Sequence, residues 1–268
     1  MTTFLELHVP GKPLVMPNPW DVGTARVLAS LGFQALATTS LGHAATLGRR
    51  DGEVTREEAL EHAAQIVAAV DVPVSADMER CFGDDPAAVH DFVAAAVPTG
   101  LAGCSIEDYT GDPDTGLYDI AQAADRVRAA AEAAQGMVLT ARAENFVRLR
   151  DPDLGDTIAR LQAYQEAGAD VLYAPWLRDL ADVARVIAEV DLPVNVLAFP
   201  GLGSVADVAA AGAARISVGG WFSYVALDAL VRAARELLEE GGFGYLERVA
   251  EGRRQAAAAF PPGGANQR

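Results

Sequence analysis

The run VPVSADMERCFG, from Val72 to Gly83, decides how this chain is read. Its proline-bounded, apolar start through Val74 reads as a short buried strand. The outgoing end delivers Asp77 and Glu79, with Gly83 close behind. Two carboxylates with only Met78 between them, at a strand's carboxyl end, can share one divalent cation. An all-oxygen donor set suits a hard ion such as Mg²⁺. Taken alone, an acid-x-acid pair is more often a solvated loop start, because acidic side chains are mostly exposed. Its company elsewhere in the chain decides between the two.

Outward from this strand, short apolar runs alternate with longer segments of helical period, the pattern of repeated βα units on a parallel sheet. Strands are expected at Leu14–Met16, Ala35–Thr38, Val74–Ala76, Gly103–Ile106, Val138–Ala141, Val171–Tyr173, Val194–Leu197 and Arg215–Val218. Helices are expected after each, at Val22–Leu31, Arg56–Val70, Pro86–Val97, Ile120–Ala134, Leu154–Ala167, Leu180–Val190, Val205–Ala210 and Phe222–Leu238. Eight such pairs predict an α/β fold, a single-domain (β/α)₈ TIM barrel over residues 1–250. No glycine-rich dinucleotide fingerprint follows the first strand, which removes the main reason for a Rossmann reading. Residues 251–268 read as a frayed tail, with the last helix before them free to pack on a neighbouring subunit.

A chain of 268 residues can bury the core of one such barrel. Its 21 Lys and Arg against 37 Asp and Glu give a net charge of −16, which repels phosphate backbones and anionic lipid, so nucleic acid and membrane surfaces are not expected partners. Cys81 and Cys104 form no CxxC pattern and read as reduced thiols in a cytoplasmic setting. Cys104, inside the fourth strand, reads as a small core residue, and Cys81, in the turn after the acids, as a candidate reactive thiol. The amino terminus has no basic start followed by an apolar core, and no apolar run approaches the roughly 18 residues of a membrane span. A soluble cytoplasmic protein is expected.

Barrel enzymes carry their chemistry at the carboxyl ends of the strands. In chain order those ends offer Asn18, Trp20 and Asp21; Thr39, Ser40 and Gly42; Asp77 and Glu79; Glu107 and Asp108; Arg142, Glu144 and Asn145; Tyr173; and Asn195. Glu107 beside Asp77 and Glu79 would complete a metal nest. Arg142 is either an ion-pair partner for those acids or the guanidinium that a carboxylate substrate requires. His43, next to Gly42, is either structural or a donor to substrate.

Ordered motifs at these strand ends resemble the isocitrate lyase and phosphoenolpyruvate mutase superfamily from about Val15 to Leu238. They are TTSLGHAATLGRRDG (38–52), SADMERCFGDDP (75–86), GCSIEDYTGDP (103–113), LTARAENF (139–146) and GADVLYAP (168–175). The resemblance implies a Mg²⁺-dependent barrel, with Mn²⁺ as an alternative ion. It also implies a helix-swapped homo-oligomer, a dimer of dimers, that makes or breaks a bond to C3 of a pyruvate-like unit through an enolate. By the same resemblance Asp77 is the metal acid nearest the ion, and Glu79 and Glu107 hold its waters. Arg142 contacts the substrate oxygen, Ser40, Leu41 and Gly42 receive the carboxylate, and Asp51 is the acid of a loop over the site. Leu41 to Val54 is expected to be a mobile lid.

Departures narrow the subgroup. Isocitrate and methylisocitrate lyases carry a Lys-Lys-Cys-Gly-His type segment after the fourth strand, whereas this chain has YTGDPDTGLYD there. The lysine and asparagine with which the mutase and phosphonopyruvate hydrolase handle a phosphoryl group are also missing from it. The expected activity is a Mg²⁺-dependent carbon–carbon lyase on a small 2-oxo or 2-hydroxy (di)carboxylate such as oxaloacetate, with Asp51 preferred over Tyr173 as general base and Arg142, Tyr173 and Asn195 around the substrate. Mutase or hydrolase chemistry is the enzymatic alternative, and a non-catalytic barrel binding Mg²⁺ and a keto acid is the other.

Overall fold

The computed structural model describes residues 3–260. Eight parallel strands form, each within one residue of its expected bounds. They are β1 (Leu14–Met16), β2 (Leu36–Ala37), β3 (Val74–Ala76), β4 (Gly103–Glu107), β5 (Val138–Arg142), β6 (Val171–Tyr173), β7 (Val194–Leu197) and β8 (Arg215–Ser217). Their order around the sheet is β1-β8-β7-β6-β5-β4-β3-β2, and the Ala37 amide donates to the Pro17 carbonyl at 3.0 Å where β1 meets β2. The result is a nearly closed (β/α)₈ barrel.

Between the strands lie α1 (Val22–Ser30), α2 (Ser40–Thr46), α3 (Arg56–Ala69), α4 (Pro86–Ala96), α5 (Ile120–Ala133), α6 (Asn145–Arg148), α7 (Leu154–Glu166), α8 (Leu180–Ala188) and α9 (Val205–Ala210); α10 (Trp221–Arg235) and α11 (Val249–Ala259) follow β8. Local chemistry starts these helices where the sequence changes period. Thr55 with Glu58 and Ser204 with Asp207 form reciprocal capping boxes, and Asp85 caps α4 with Pro86 in its first turn. Two departures matter. The expected lid begins as helix α2, capped by Thr39, so only the stretch from Leu47 to Val54 is irregular, and Arg49 ties it to Glu58 at 2.7 Å. The segment expected to fray is helical as α11, because AEGRRQAAAA is rich in strong helix formers; residues 261–268 of that tail lie outside the described residues.

Register explains how distant residues become neighbours. Glu107 pairs with Arg142, Arg142 with Tyr173, Tyr173 with Asn195, and Asn195 with Arg215, which pairs with Leu14. Because barrel strands tilt, this row descends from the last residue of β4 to the first of β8. It runs from the mouth into the interior. Beneath it, Phe4, Leu14, Met16, Ala35, Val138 and Val171 form an apolar plug, and the larger core fills the space between strands and helices.

Candidate active site

A cavity of about 280 Å³ opens at the carboxyl ends of the strands. Ser40, Leu41, Asp51, Asp77, Glu107, Arg142, Tyr173 and Asn195 line it. No Cys, Lys or His is among its lining residues, and Lys12, the sole lysine, precedes β1 at the other end of the barrel.

Arg142 organises this mouth. Its Nη1 donates to Asp77 Oδ1 at 2.9 Å, its Nη2 pairs with Glu107 Oε1 at 3.0 Å, and its Nε donates to Glu144 Oε1 at 2.8 Å. Burial works against the guanidinium's charge, but Glu107, Glu144 and Asp77 outweigh it and hold Arg142 well above its ordinary value. The same burial pushes Glu107 and Glu144 up, and Arg142 pulls both back. The other oxygen of Asp77, Oδ2, accepts from the Ser40 amide at 3.1 Å and from its hydroxyl at 2.9 Å.

The three acids expected around one cation divide between two depressions. Asp77 and Glu107 line the cavity on either side of the Arg142 guanidinium. Glu79 turns into an adjoining depression shared with Asp51, Glu107 and Arg148. Burial, then the charges of Asp77 and Asp51, lift Glu79 to about 7. Gly42 does not face the cavity: its amide donates to Thr39 Oγ1, and a Cβ there would lie 2.7 Å from the Thr39 side chain and 2.8 Å from Trp20. Asp108 points behind the barrel, where Tyr164 Oη and Arg160 Nη1 donate to its Oδ2 at 2.6 and 3.1 Å. Cys81 is fully buried and its thiol is pushed up by that burial, so it is no ready nucleophile. Cys104 is a core residue, lifted by burial to about 12. His43 stacks on His62 at 3.8 Å rather than lining the cavity.

Asp51 stands at the rim. Burial of its carboxyl and then the charge of Asp77 raise it above the usual value, while the Ser40 hydroxyl and Arg142 pull it back. Tyr173 lies under Arg142, with the guanidinium carbon 5.1 Å from its ring centre. Asn195 donates to Ser217 Oγ at 3.0 Å and accepts from Arg215 Nε at 2.9 Å.

Four residues outside the sequence reading bear on this site. Trp176 and Trp221 line the cavity, and Trp176 holds a left-handed backbone with φ of 67°. Arg215 lies in its floor. Arg126, on α5, donates to the carbonyls of Glu107, Arg80 and Gly83 at 2.9, 2.6 and 2.9 Å, and so clamps the loop that carries Glu79. Strand alternation was the available signal for Arg215, which is two residues from the inward-facing Ser217.

The fit to a metal rests on donor chemistry. Among the described residues no group of three or more His, Cys, Asp or Glu is disposed to hold a metal ion. Mg²⁺ needs less than that, since it uses one or two carboxylates and keeps several waters. Asp77 and Glu107 bring carboxylate oxygens to one cavity wall, with no nitrogen or sulfur ligand beside them. The donor set fits a hard cation bound largely through water.

Comparison with known proteins agrees with this architecture. The family profile of phosphoenolpyruvate phosphomutase matches residues 4–238. A Burkholderia cenocepacia J2315 crystal structure, provisionally described as a lyase/mutase, is 44% identical, with a TM-score of 0.92 over 97% of this chain and 95% of that one. The structure of 2,3-dimethylmalate lyase, a member of the PEP mutase/isocitrate lyase superfamily, is 27% identical, with a TM-score of 0.81 over 95% and 92%. Oxaloacetate decarboxylase of Pseudomonas aeruginosa strain LESB58 is 30% identical over 230 residues, 82% of this chain and 78% of that one.

Proposed function

This chain belongs to the phosphoenolpyruvate phosphomutase family of the isocitrate lyase/PEP mutase superfamily, and on that premise we propose that it is an enzyme cleaving a carbon–carbon bond in a small 2-oxo or 2-hydroxy dicarboxylate. The reaction passes through a pyruvate-type enolate, with Mg²⁺ or Mn²⁺ as cofactor. One observation carries the reading: the cavity sets the Arg142 cation among carboxylate and hydroxyl oxygens, with no lysine or thiol lining it for covalent catalysis. The relatives described as 2,3-dimethylmalate lyase and oxaloacetate decarboxylase support the substrate class.

In this reading Arg142 receives the substrate oxo or carboxylate oxygen and stabilises the negative charge that develops on it. Ser40 and Leu41, at the start of α2, orient the carboxylate, and Tyr173 and Asn195 complete the wall. Asp51 holds or removes the proton at the rim, a role helped by its raised affinity for one. Asp77 would hold the cation directly, with Glu79 and Glu107 reaching it through water, and the ion would supply Lewis-acid stabilisation of the enolate.

Residues 1–250 form the catalytic unit in this proposal, and the working form is a cytoplasmic homo-oligomer, a dimer of dimers. Support comes from α10, which buries only Ser223 among its residues and exposes Phe222, Val225, Leu227 and Leu230. Exchange of this helix between subunits would cover it.

The test is Mg²⁺-dependent release of pyruvate or glyoxylate from a panel of C4 to C6 2-oxo and 2-hydroxy acids, with Asp51→Asn as the control. Asp51→Asn is expected to lose about 10²–10⁴-fold in kcat. No release from any acid at saturating Mg²⁺ rejects the lyase, and pyruvate plus phosphate from phosphonopyruvate alone would move the chain to the hydrolase alternative.

A further inference from the structure

We propose that Arg215 is the counter-charge for the anion bound in the barrel cavity, and that it sets the site's preference for dianions over monoanions. The inference rests on the reading of that cavity as a carboxylate site. Arg215 opens β8, is 4% exposed and lines the cavity floor.

Among the described residues its partners are all uncharged. Nε donates to Asn195 Oδ1 at 2.9 Å, Nη2 to Thr140 Oγ1 at 3.1 Å, and Nη1 meets His8 Nε2 at 3.3 Å. The protonation of His8 follows from its other contact. Its Nδ1 lies 3.0 Å from the Phe4 carbonyl, so Nδ1 carries the hydrogen and Nε2 offers a lone pair to the guanidinium. Burial and then the Arg215 charge push His8 down to about 4, so it is neutral at pH 7. Of the five guanidinium N–H bonds, three are used in this way.

Arg126, on α5, is buried without a carboxylate too, but three backbone carbonyls take up its N–H groups outside the cavity. The two remaining well-buried arginines are paired with acids. Arg142 is held by three carboxylates and Arg160 by Asp108 and Asp156. No such pair forms at Arg215 among the described residues. The groups that act on its charge are Tyr173 and Arg142, and the second of these repels it. Burial lowers its proton affinity only to about 10, so the charge persists at pH 7. A buried charge without a counter-ion is costly. An anion entering the cavity removes that cost, and the attraction grows with the anion's charge.

Oxalate and oxamate test this, since they are planar, nearly isosteric, and differ by one unit of charge at pH 7.5. Each is titrated calorimetrically into wild type, Arg215→Gln and Arg215→Lys at saturating Mg²⁺. Arg215→Gln is expected to raise the oxalate Kd about tenfold or more and the oxamate Kd less than about threefold. Arg215→Lys, which keeps the charge, is expected to preserve the ratio of the two. Equal losses for both anions in Arg215→Gln would make Arg215 a structural residue and overturn the proposal. If Arg215→Gln does not fold, His8→Glu sets a carboxylate against the guanidinium and neutralises it in place. That variant is expected to lose oxalate preference, and an unchanged oxalate-to-oxamate ratio overturns the proposal. Wild type that binds neither anion also overturns it. The cleavage panel is read separately: no cleavage with intact, Arg215-dependent oxalate preference rejects the lyase and leaves this proposal standing.

Discussion

Glu107 and Arg142 are register partners at the carboxyl ends of β4 and β5, and their side chains close an ion pair of 3.0 Å at the cavity wall. The same guanidinium reaches Asp77 and Glu144. One cation therefore holds three acids apart, and the groups that would meet a metal and those that would meet a carboxylate are coupled through it. In the proposed site a variant at Arg142 would act on both stability and ligand affinity, and the two effects have to be read separately.

Arg142→Ala leaves three carboxylates facing one another in a largely buried space and is expected to cost about 3–5 kcal/mol of stability, read as a fall in the urea midpoint. Arg142→Lys restores the charge but not the planar fork. It is expected to fold with a smaller loss and to give up roughly 1.5–3 kcal/mol of oxalate affinity at saturating Mg²⁺. An unchanged oxalate Kd in Arg142→Lys would remove this residue from the ligand site.

Glu79, Cys81 and Phe82 hold left-handed backbone angles, with φ of 49°, 57° and 49°, in the loop that follows Asp77. Residues other than glycine resist that region, so something must hold the loop. Arg126 does, through the loop carbonyls of Arg80 and Gly83 and a third bond to the Glu107 carbonyl of β4, while its guanidinium lies 4.2 Å over the Tyr118 ring. Arg126→Met is expected to weaken Mg²⁺ binding about tenfold without touching the cavity, because it frees the loop bearing Glu79. Calorimetric Mg²⁺ affinity equal to wild type in the folded variant would show that the loop holds itself.

His62 lies under the parallel ring of His43, and burial, followed by the charge of that neighbour, lowers it from 6.5 to about 4. The unfolded chain takes up a proton between those values that the folded chain refuses. Stability from this group is therefore full above about pH 6.5 and is lost as pH falls toward 4. The lowering is worth about 3 kcal/mol. His62→Gln should flatten the acid limb of the stability curve between pH 6.5 and 4.5, and the same fall in urea midpoint for wild type and variant would contradict the assignment.

Leu230 is 64% exposed on α10, and Val225 on the same helix is 66% exposed. If self-association covers this face, Leu230→Asp should shift the light-scattering mass in solution toward the monomer. A wild-type mass equal to one chain would refute the oligomer.

Short apolar runs bounded by Pro and Gly place all eight strands, because burial of a parallel strand on both faces demands such runs. Strand ends then nominate Asp77, Glu107, Arg142, Tyr173 and Asn195, and all five line the cavity. Alternation carries a further message that the list of strand ends overlooked. Asp108 follows Glu107 and so must face the other way, toward Arg160 and Tyr164. The motif puts Gly42 among the carboxylate-binding residues, yet its packing against Trp20 and Thr39 is what requires a glycine.

Local period and residue order were enough to place the barrel, the family and the ring of polar strand ends. Which charge meets which came from the folded arrangement. That Arg142 is shared by Asp77, Glu107 and Glu144, while Arg215 is left with Asn195, Thr140 and His8, depends on strand tilt and register across segments up to 207 positions apart. Coulomb energies vary with distance and burial, and neither is written in the order of the residues.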